Sequence, residues 1–254
     1  MDHLGLDAGG WIVAAVAVLV TGISKAGLGG ALGGLAVPLM ALWLGPAQAA
    51  AVMLPILILM DLVGLKAYRD QWSATDLGAL LPGALTGIGL GSLAFGVMPA
   101  GLVKAAIGAI AVVFAIDRLA RLARAGKPAP PPARGIWWGW LWGGLSGFTS
   151  TLAHAGGPPM MVYLLGRPLS RQAFVATTVI YFAVINAAKL PPYLALGLFS
   201  RDSLTVSLIL SPLVPAGVWL GLHALRHIPE RPFFLATTAL LGLSGLKLLW
   251  DGLT

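Results

Sequence analysis

Five long apolar runs limit what this chain can become: Ala47–Leu65, Leu77–Val97, Leu102–Ile116, Ala173–Ile185 and Phe233–Leu249. They approach the roughly 20 residues that cross a hydrocarbon core about 30 Å thick. With 58% hydrophobic and 10% charged residues, a soluble domain of this size could not hide its apolar surface. A membrane β-barrel would alternate with period 2 in segments of about ten residues, and no such pattern occurs. The expected fold is an all-α polytopic membrane protein.

The chain divides into ten hydrophobic segments, 11–24, 30–45, 47–66, 77–97, 100–119, 136–151, 156–166, 171–192, 203–224 and 232–250. Lys66 and Arg69 follow the third, Arg118, Arg121, Arg124, Lys127 and Arg134 the fifth, Arg167 and Arg171 the seventh, and Arg226 and Arg231 the ninth. Only Lys104 and Arg201 fall on the other side, so the positive-inside rule places the odd-numbered loops in the cytoplasm and both termini outside. This accounts for the net charge of +7 without nucleic acid. Met1–Gly10 carry two Asp and no Lys or Arg, so Trp11–Ser24 reads as a retained first helix and not as a signal peptide. The absence of cysteine removes disulfides and thiol chemistry.

The stretch Arg118–Arg134, rich in Pro and Ala, reads as a semi-rigid cytoplasmic linker. It separates a first transmembrane repeat, residues 1–122, from a second, 136–254, with 123–135 as the linker. Five segments per half is an odd number, so the halves enter the bilayer in opposite orientation, as two inverted repeats totalling 8–10 transmembrane or re-entrant helices.

A glycine-dense stretch occurs once in each half: Gly22-Ile-Ser-Lys-Ala-Gly-Leu-Gly-Gly-Ala-Leu-Gly-Gly34 and Gly144-Leu-Ser-Gly-Phe-Thr-Ser-Thr-Leu-Ala-His-Ala-Gly-Gly157. Gly22, Ser24 and Gly34 align with Gly144, Ser146 and Gly156 at one offset, and each half then has an apolar helix ending in Tyr, at Tyr68 and Tyr193. Paired glycine-interrupted segments at matching places point to a transport site at a repeat interface. The segment after each is too short or too glycine-rich for a simple span, and reads as a broken or re-entrant helix. Two uses of the glycines stay open. They pack helices closely through small-xxx-small spacings such as Gly29/Gly33 and Gly30/Gly34, or they also expose backbone N–H groups that hold an anion at helix starts.

The candidate site residues are Ser24, Lys25, Gly27, Gly29 and Gly30 in the first stretch, and Thr149, Ser150, His154, Gly156 and Gly157 in the second. A lysine among apolar helices needs a cavity, a partner or a path to the surface by snorkelling. His154 holds the place comparable to Lys25 and serves as a backbone-bonded core histidine, a ligand contact or a proton relay. Asp61, Asn186 and Lys189 lie in equivalent apolar runs, where ionisable groups are functional candidates. A structural salt bridge between Asp61 and Lys189 is the alternative. Met53, Met60, Met160 and Met161 read as packing, and Trp137, Trp138, Trp140 and Trp142 as an interfacial belt.

Over Gly22–Pro38, Gly144–Pro159, the helices after each and the two-half layout, the chain resembles the TauE/SafE, or sulfite exporter, family of bacterial membrane permeases. That resemblance implies a transporter of sulfite, thiosulfate, sulfonates or small organic anions, with no cofactor, in the bacterial inner membrane. The second motif departs from the family's fuller glycine cluster, reading Ala153-His-Ala-Gly-Gly-Pro-Pro159. The expectation is a secondary transporter whose partners are a small anionic substrate and the lipid bilayer, with a homodimer left open. An intramembrane enzyme acting on lipid and a non-transporting scaffold are the alternatives; enzymes of that kind usually cluster acids, histidines or metal ligands.

Overall fold

The computed structural model describes residues 6–253 except Gly33, Leu35, Arg69, Asp70, Gly96, Met98 and 124–134. Nearly all of the expected linker, with Arg124, Lys127 and Arg134, therefore lies outside the described residues, as does Arg69. Eleven helices and no strand occur among the described residues: α1 (Ala8–Gly27), α2 (Ala36–Leu44), α3 (Pro46–Ala67), α4 (Ala74–Ala94), α5 (Ala100–Ala123), α6 (Ile136–Ala153), α7 (Gly157–Leu164), α8 (Arg171–Ala195), α9 (Arg201–Leu210), α10 (Leu213–His227) and α11 (Glu230–Leu253). Five of them, α1, α3, α4, α8 and α11, are long and apolar enough to cross a membrane. The protein is an all-α polytopic membrane protein.

Local chemistry sets the boundaries. Asp7, Ser73 and Ser170 cap α1, α4 and α8 by accepting from the backbone N–H of Gly10, Asp76 and Ala173. Ser200 and Ser203 cap α9 reciprocally. Gly45 (φ 74°) turns the chain between α2 and α3, and Pro46 opens α3. The expected segment 203–224 is not one straight helix: α9 and α10 meet at 48° across Ser211-Pro212. Pro212 has no N–H to continue the α9 ladder, which accounts for the break. The short second segments are as expected, nine residues in α2 and eight in α7. Eight helical residues rise only about 12 Å, well short of a span.

The largest helix contacts are α4 with α6, α5 with α11 and α1 with α10, and each joins the first half to the second. Exchanging the halves turns α1–α10 into α6–α4 and leaves α5–α11 and α3–α8 unchanged. The hydrogen bonds repeat the same exchange. Tyr68 donates its hydroxyl to Ala26 O in the last turn of α1, and Tyr193 donates to Thr151 O in the last turn of α6. Gly30 N–H donates to Ser24 O, and Ala155 N–H to Thr149 O. Asp61 and Asn186, 125 positions apart, bond directly to each other. A two-fold relation between halves brings equivalent residues together only beside its axis, and this bond is consistent with that position. All these pairs share the 125-residue shift, three more than the alignment of Gly22 with Gly144. In the structure, Lys25 therefore corresponds to Ser150, and His154 to Gly29.

The outward faces carry Leu93, Val97, Leu102, Ile116, Trp137, Trp219 and Leu246, an apolar surface suited to lipid. The four clustered tryptophans divide: Trp137 and Trp140 face outward, whereas Trp142 is buried with Trp138 edge-on against it at 5.4 Å. The four methionines are core, as expected. Removing either repeated tyrosine hydroxyl strands a buried carbonyl at a helix end. Tyr68→Phe and Tyr193→Phe should each lower stability by about 1 kcal/mol, read as matched drops in the melting temperature of the detergent-solubilised protein.

Candidate functional site

The two glycine stretches meet in the middle of the bundle. A Cβ on Gly157 would stand 2.9 Å from Gly30 O, and one on Gly34 would stand 3.6 Å from Ala155 Cα. Beside this contact lies a cavity lined by Thr21 and Lys25 of α1, Gly30, Leu57 of α3, Ser150 of α6, His154, Gly157 at the start of α7, and Phe182 and Asn186 of α8. It leaves about 30 Å³ for the centre of a water-sized sphere. That is room for a ligand of a few atoms.

Lys25 is 5% exposed and does not snorkel. Its Nζ lies 2.6 Å from Asp61 Oδ1, with Phe182's ring 5.4 Å away. Asn186 Nδ2 donates to Asp61 Oδ2 at 2.7 Å, so the carboxylate is held from α1 and α8 together. The expected Asp61–Lys189 bridge does not form. Lys189, fully buried, instead donates to Ser150 Oγ (2.9 Å) and meets His154 Nδ1 at 2.8 Å. A buried ammonium normally finds a carboxylate, and among the described residues the one nearby, Asp61, is already taken by Lys25.

His154 ends α6 in the left-handed region, φ 50°, where the first half has Gly29 at φ 63°. That conformation costs a non-glycine residue about 1–2 kcal/mol, and three bonds hold it. Its N–H donates to Ser150 O, Nε2 lies 3.0 Å from Ala50 O, and Nδ1 faces Lys189. A carbonyl only accepts, so Nε2 carries the ring hydrogen and Nδ1 accepts from Lys189. Both ring nitrogens are thus spent on the protein. Ser150 differs: its oxygen accepts from Lys189, which leaves its own O–H to donate into the cavity.

Of the residues expected at a site, Lys25, Gly30, Ser150, His154, Gly157 and Asn186 line the cavity, and Asp61 and Lys189 stand directly behind them. The other five do not reach it. Ser24 Oγ accepts from Leu32 N–H, and Thr149 donates to Leu145 O and Ala155 O, so both brace the turns. Gly27 and Gly156 make room for Gly221 O and Ser146 O, and Gly29 for the Phe174 ring. The backbone donors are fewer than helix starts usually offer, because Pro158 and Pro159 have no N–H and Gly157 alone opens α7 with one.

Comparison with known proteins bears on the whole of this arrangement. The sequence profile described as sulfite exporter TauE/SafE matches residues 14–248, from α1 through α11. The chain belongs to the sulfite exporter TauE/SafE family. No curated protein and no solved structure matches it. The family is one of membrane permeases, so this TauE/SafE member is a multi-pass membrane transporter, and the cavity lies within the matched region.

Three cavity residues escaped the sequence reading, and helical spacing was the available signal. Thr21, Leu57 and Phe182 each precede a named residue, Lys25, Asp61 or Asn186, by four positions and so share its face. A second buried acid was also missed. Asp76, 2% exposed, accepts from Arg167 Nε (2.6 Å), Tyr163 OH (3.1 Å) and Ser73 OH (2.7 Å). Ser73 N–H in turn donates to Thr177 of α8. Arg167, expected only as a topology signal, therefore also ties the end of α7 to the start of α4 in this TauE/SafE chain. Among the described residues no group of three His, Asp or Glu is arranged to hold a metal ion.

Proposed function

We propose that this protein is a secondary transporter that carries a small sulfur-containing or organic anion, such as sulfite, thiosulfate or a sulfonate, through the cavity between the glycine stretches. The observation that carries the reading is the excess of amines over acids there: two lysines, Lys25 and Lys189, converge with a single carboxylate, Asp61. A small anion completes the set. Lys25, the Ser150 hydroxyl, the Asn186 amide and the Gly157 N–H supply its donors, while Leu57 and Phe182 exclude water from the rest of its surface. The cavity's size agrees with an ion of a few atoms.

The halves are inverted repeats, 1–122 and 136–254, and alternating access comes from rocking one against the other. Support lies in the repeated hydrogen bonds and in large contacts that each bridge the halves. The lysine- and arginine-rich loops face the cytoplasm and both termini face outside, in a bacterial inner membrane. Counterflow of radiolabelled sulfite in proteoliposomes tests the function, with thiosulfate, sulfonates, sulfate and small carboxylates as competitors. Competition by small sulfur oxyanions is the expected result; no flux with any anion overturns the reading.

A further inference from the structure

The transported anion and Asp61 compete for one cation. Lys25 stands between them: its side chain lines the cavity, and its Nζ is bonded on the far side to Asp61, which lines no part of that cavity. Among the described residues, Asp61 has one hydrogen-bond donor apart from Lys25, Asn186. Lys189, one turn further along α8, acts on Asp61 only through space and is hydrogen-bonded instead to Ser150 and His154, and among the described residues α2, α9 and α10, the other elements packed on α3, bring no ionisable partner to Asp61. An anion that draws Lys25 Nζ toward the cavity therefore leaves a deeply buried carboxylate without its cation, an arrangement proteins do not sustain.

We propose that Asp61 is the proton site of an anion–proton symporter, taking up one proton each time Lys25 exchanges its carboxylate for the transported anion. This rests on the transporter reading above. The step balances. Lys25 stays an ammonium throughout, an O–H bond forms on Asp61 with a proton from the water of the open side, and one anion enters with it. On the other side the anion leaves, Asp61 returns its proton to solution, and Lys25 closes back on the carboxylate. For a monovalent anion the charge buried in the membrane is the same in the loaded and empty states, so the two can interconvert without moving net charge.

Radiolabelled methanesulfonate is the right probe, because it carries no proton of its own near neutral pH, unlike sulfite. It is first checked as a competitor and counterflow substrate of the wild-type protein. In proteoliposomes with the membrane potential clamped, a gradient of one pH unit should drive about tenfold accumulation toward the alkaline side. A potential alone should drive none. Asp61→Asn should give an anion flux that ignores the pH gradient and follows the potential. Wild-type counterflow with no response to pH overturns the proton site and leaves the transporter standing; failure of wild-type counterflow with every anion overturns both. Should Asp61→Asn not reconstitute, proton uptake by the wild-type protein on adding methanesulfonate in weak buffer decides, with one proton per anion expected and none overturning the proposal.

Discussion

Lys25→Met is expected to abolish anion counterflow and to destabilise the fold at the same time. The side chain is nearly the same length and apolar, so packing beside Leu57 and Phe182 is kept while the charge is lost. Asp61 is then left buried with only Asn186 as a partner. Removing one member of a buried pair costs about 3–5 kcal/mol, because the other stays desolvated and uncompensated.

The double variant Lys25→Met, Asp61→Asn separates the two losses. With the carboxylate gone, most of the stability should return, while counterflow stays at the level of empty liposomes because no cation faces the cavity. Melting temperature in detergent and counterflow, measured on the wild type, on Lys25→Met, on Asp61→Asn and on the double variant, make a cycle in which coupling appears in stability and not in transport. Equal melting of Lys25→Met and wild type would mean that the pair stabilises nothing, and retained counterflow would remove Lys25 from the binding reading.

Membrane class and helical content were legible because bilayer thickness fixes segment length, and long apolar runs have few other uses. The site was legible in part, for a similar reason: a lysine, an acid or a histidine between apolar helices must be partnered. Lys25 with Asp61 and Lys189 with His154 form two bonded pairs beside one cavity. Who pairs with whom was not legible. Asp61–Lys189 and Asp61–Lys25 are equally plausible on sequence, and the choice depends on how α1 and α8 approach α3. The repeat register was also misread by three residues, because serine and glycine recur often enough to align at more than one shift. The bonds of Tyr68 and Tyr193 fix the register, and they are tertiary contacts.

Gly87→Ala is expected to lose most of the folded protein, and Gly89→Ala, two residues along the same helix, to lose none. A Cβ on Gly87 would run into the backbone carbonyl oxygen of Gly144 and stand 2.8 Å from Phe148 N, atoms that cannot turn aside. One on Gly89 meets nothing within 4 Å. The first substitution pushes α4 off α6, at or beyond the upper end of the roughly 1–3 kcal/mol that an extra core carbon costs. The second gains helix propensity, worth up to about 1 kcal/mol in soluble helices. Gly83, Gly87 and Gly91 on α4 and Gly139, Gly143 and Gly147 on α6 each recur every fourth residue, and their faces interlock. That spacing was present in the sequence, but the glycine stretches at the site drew the small-xxx-small reading instead. The distinction matters for function. The interlocked glycines fix where α6 ends, and its last turn carries Ser150 and His154 into the cavity. Yield of monodisperse protein on size exclusion separates the variants; equal yields would show that α4 and α6 can part without loss and would remove that contact as the frame of the site.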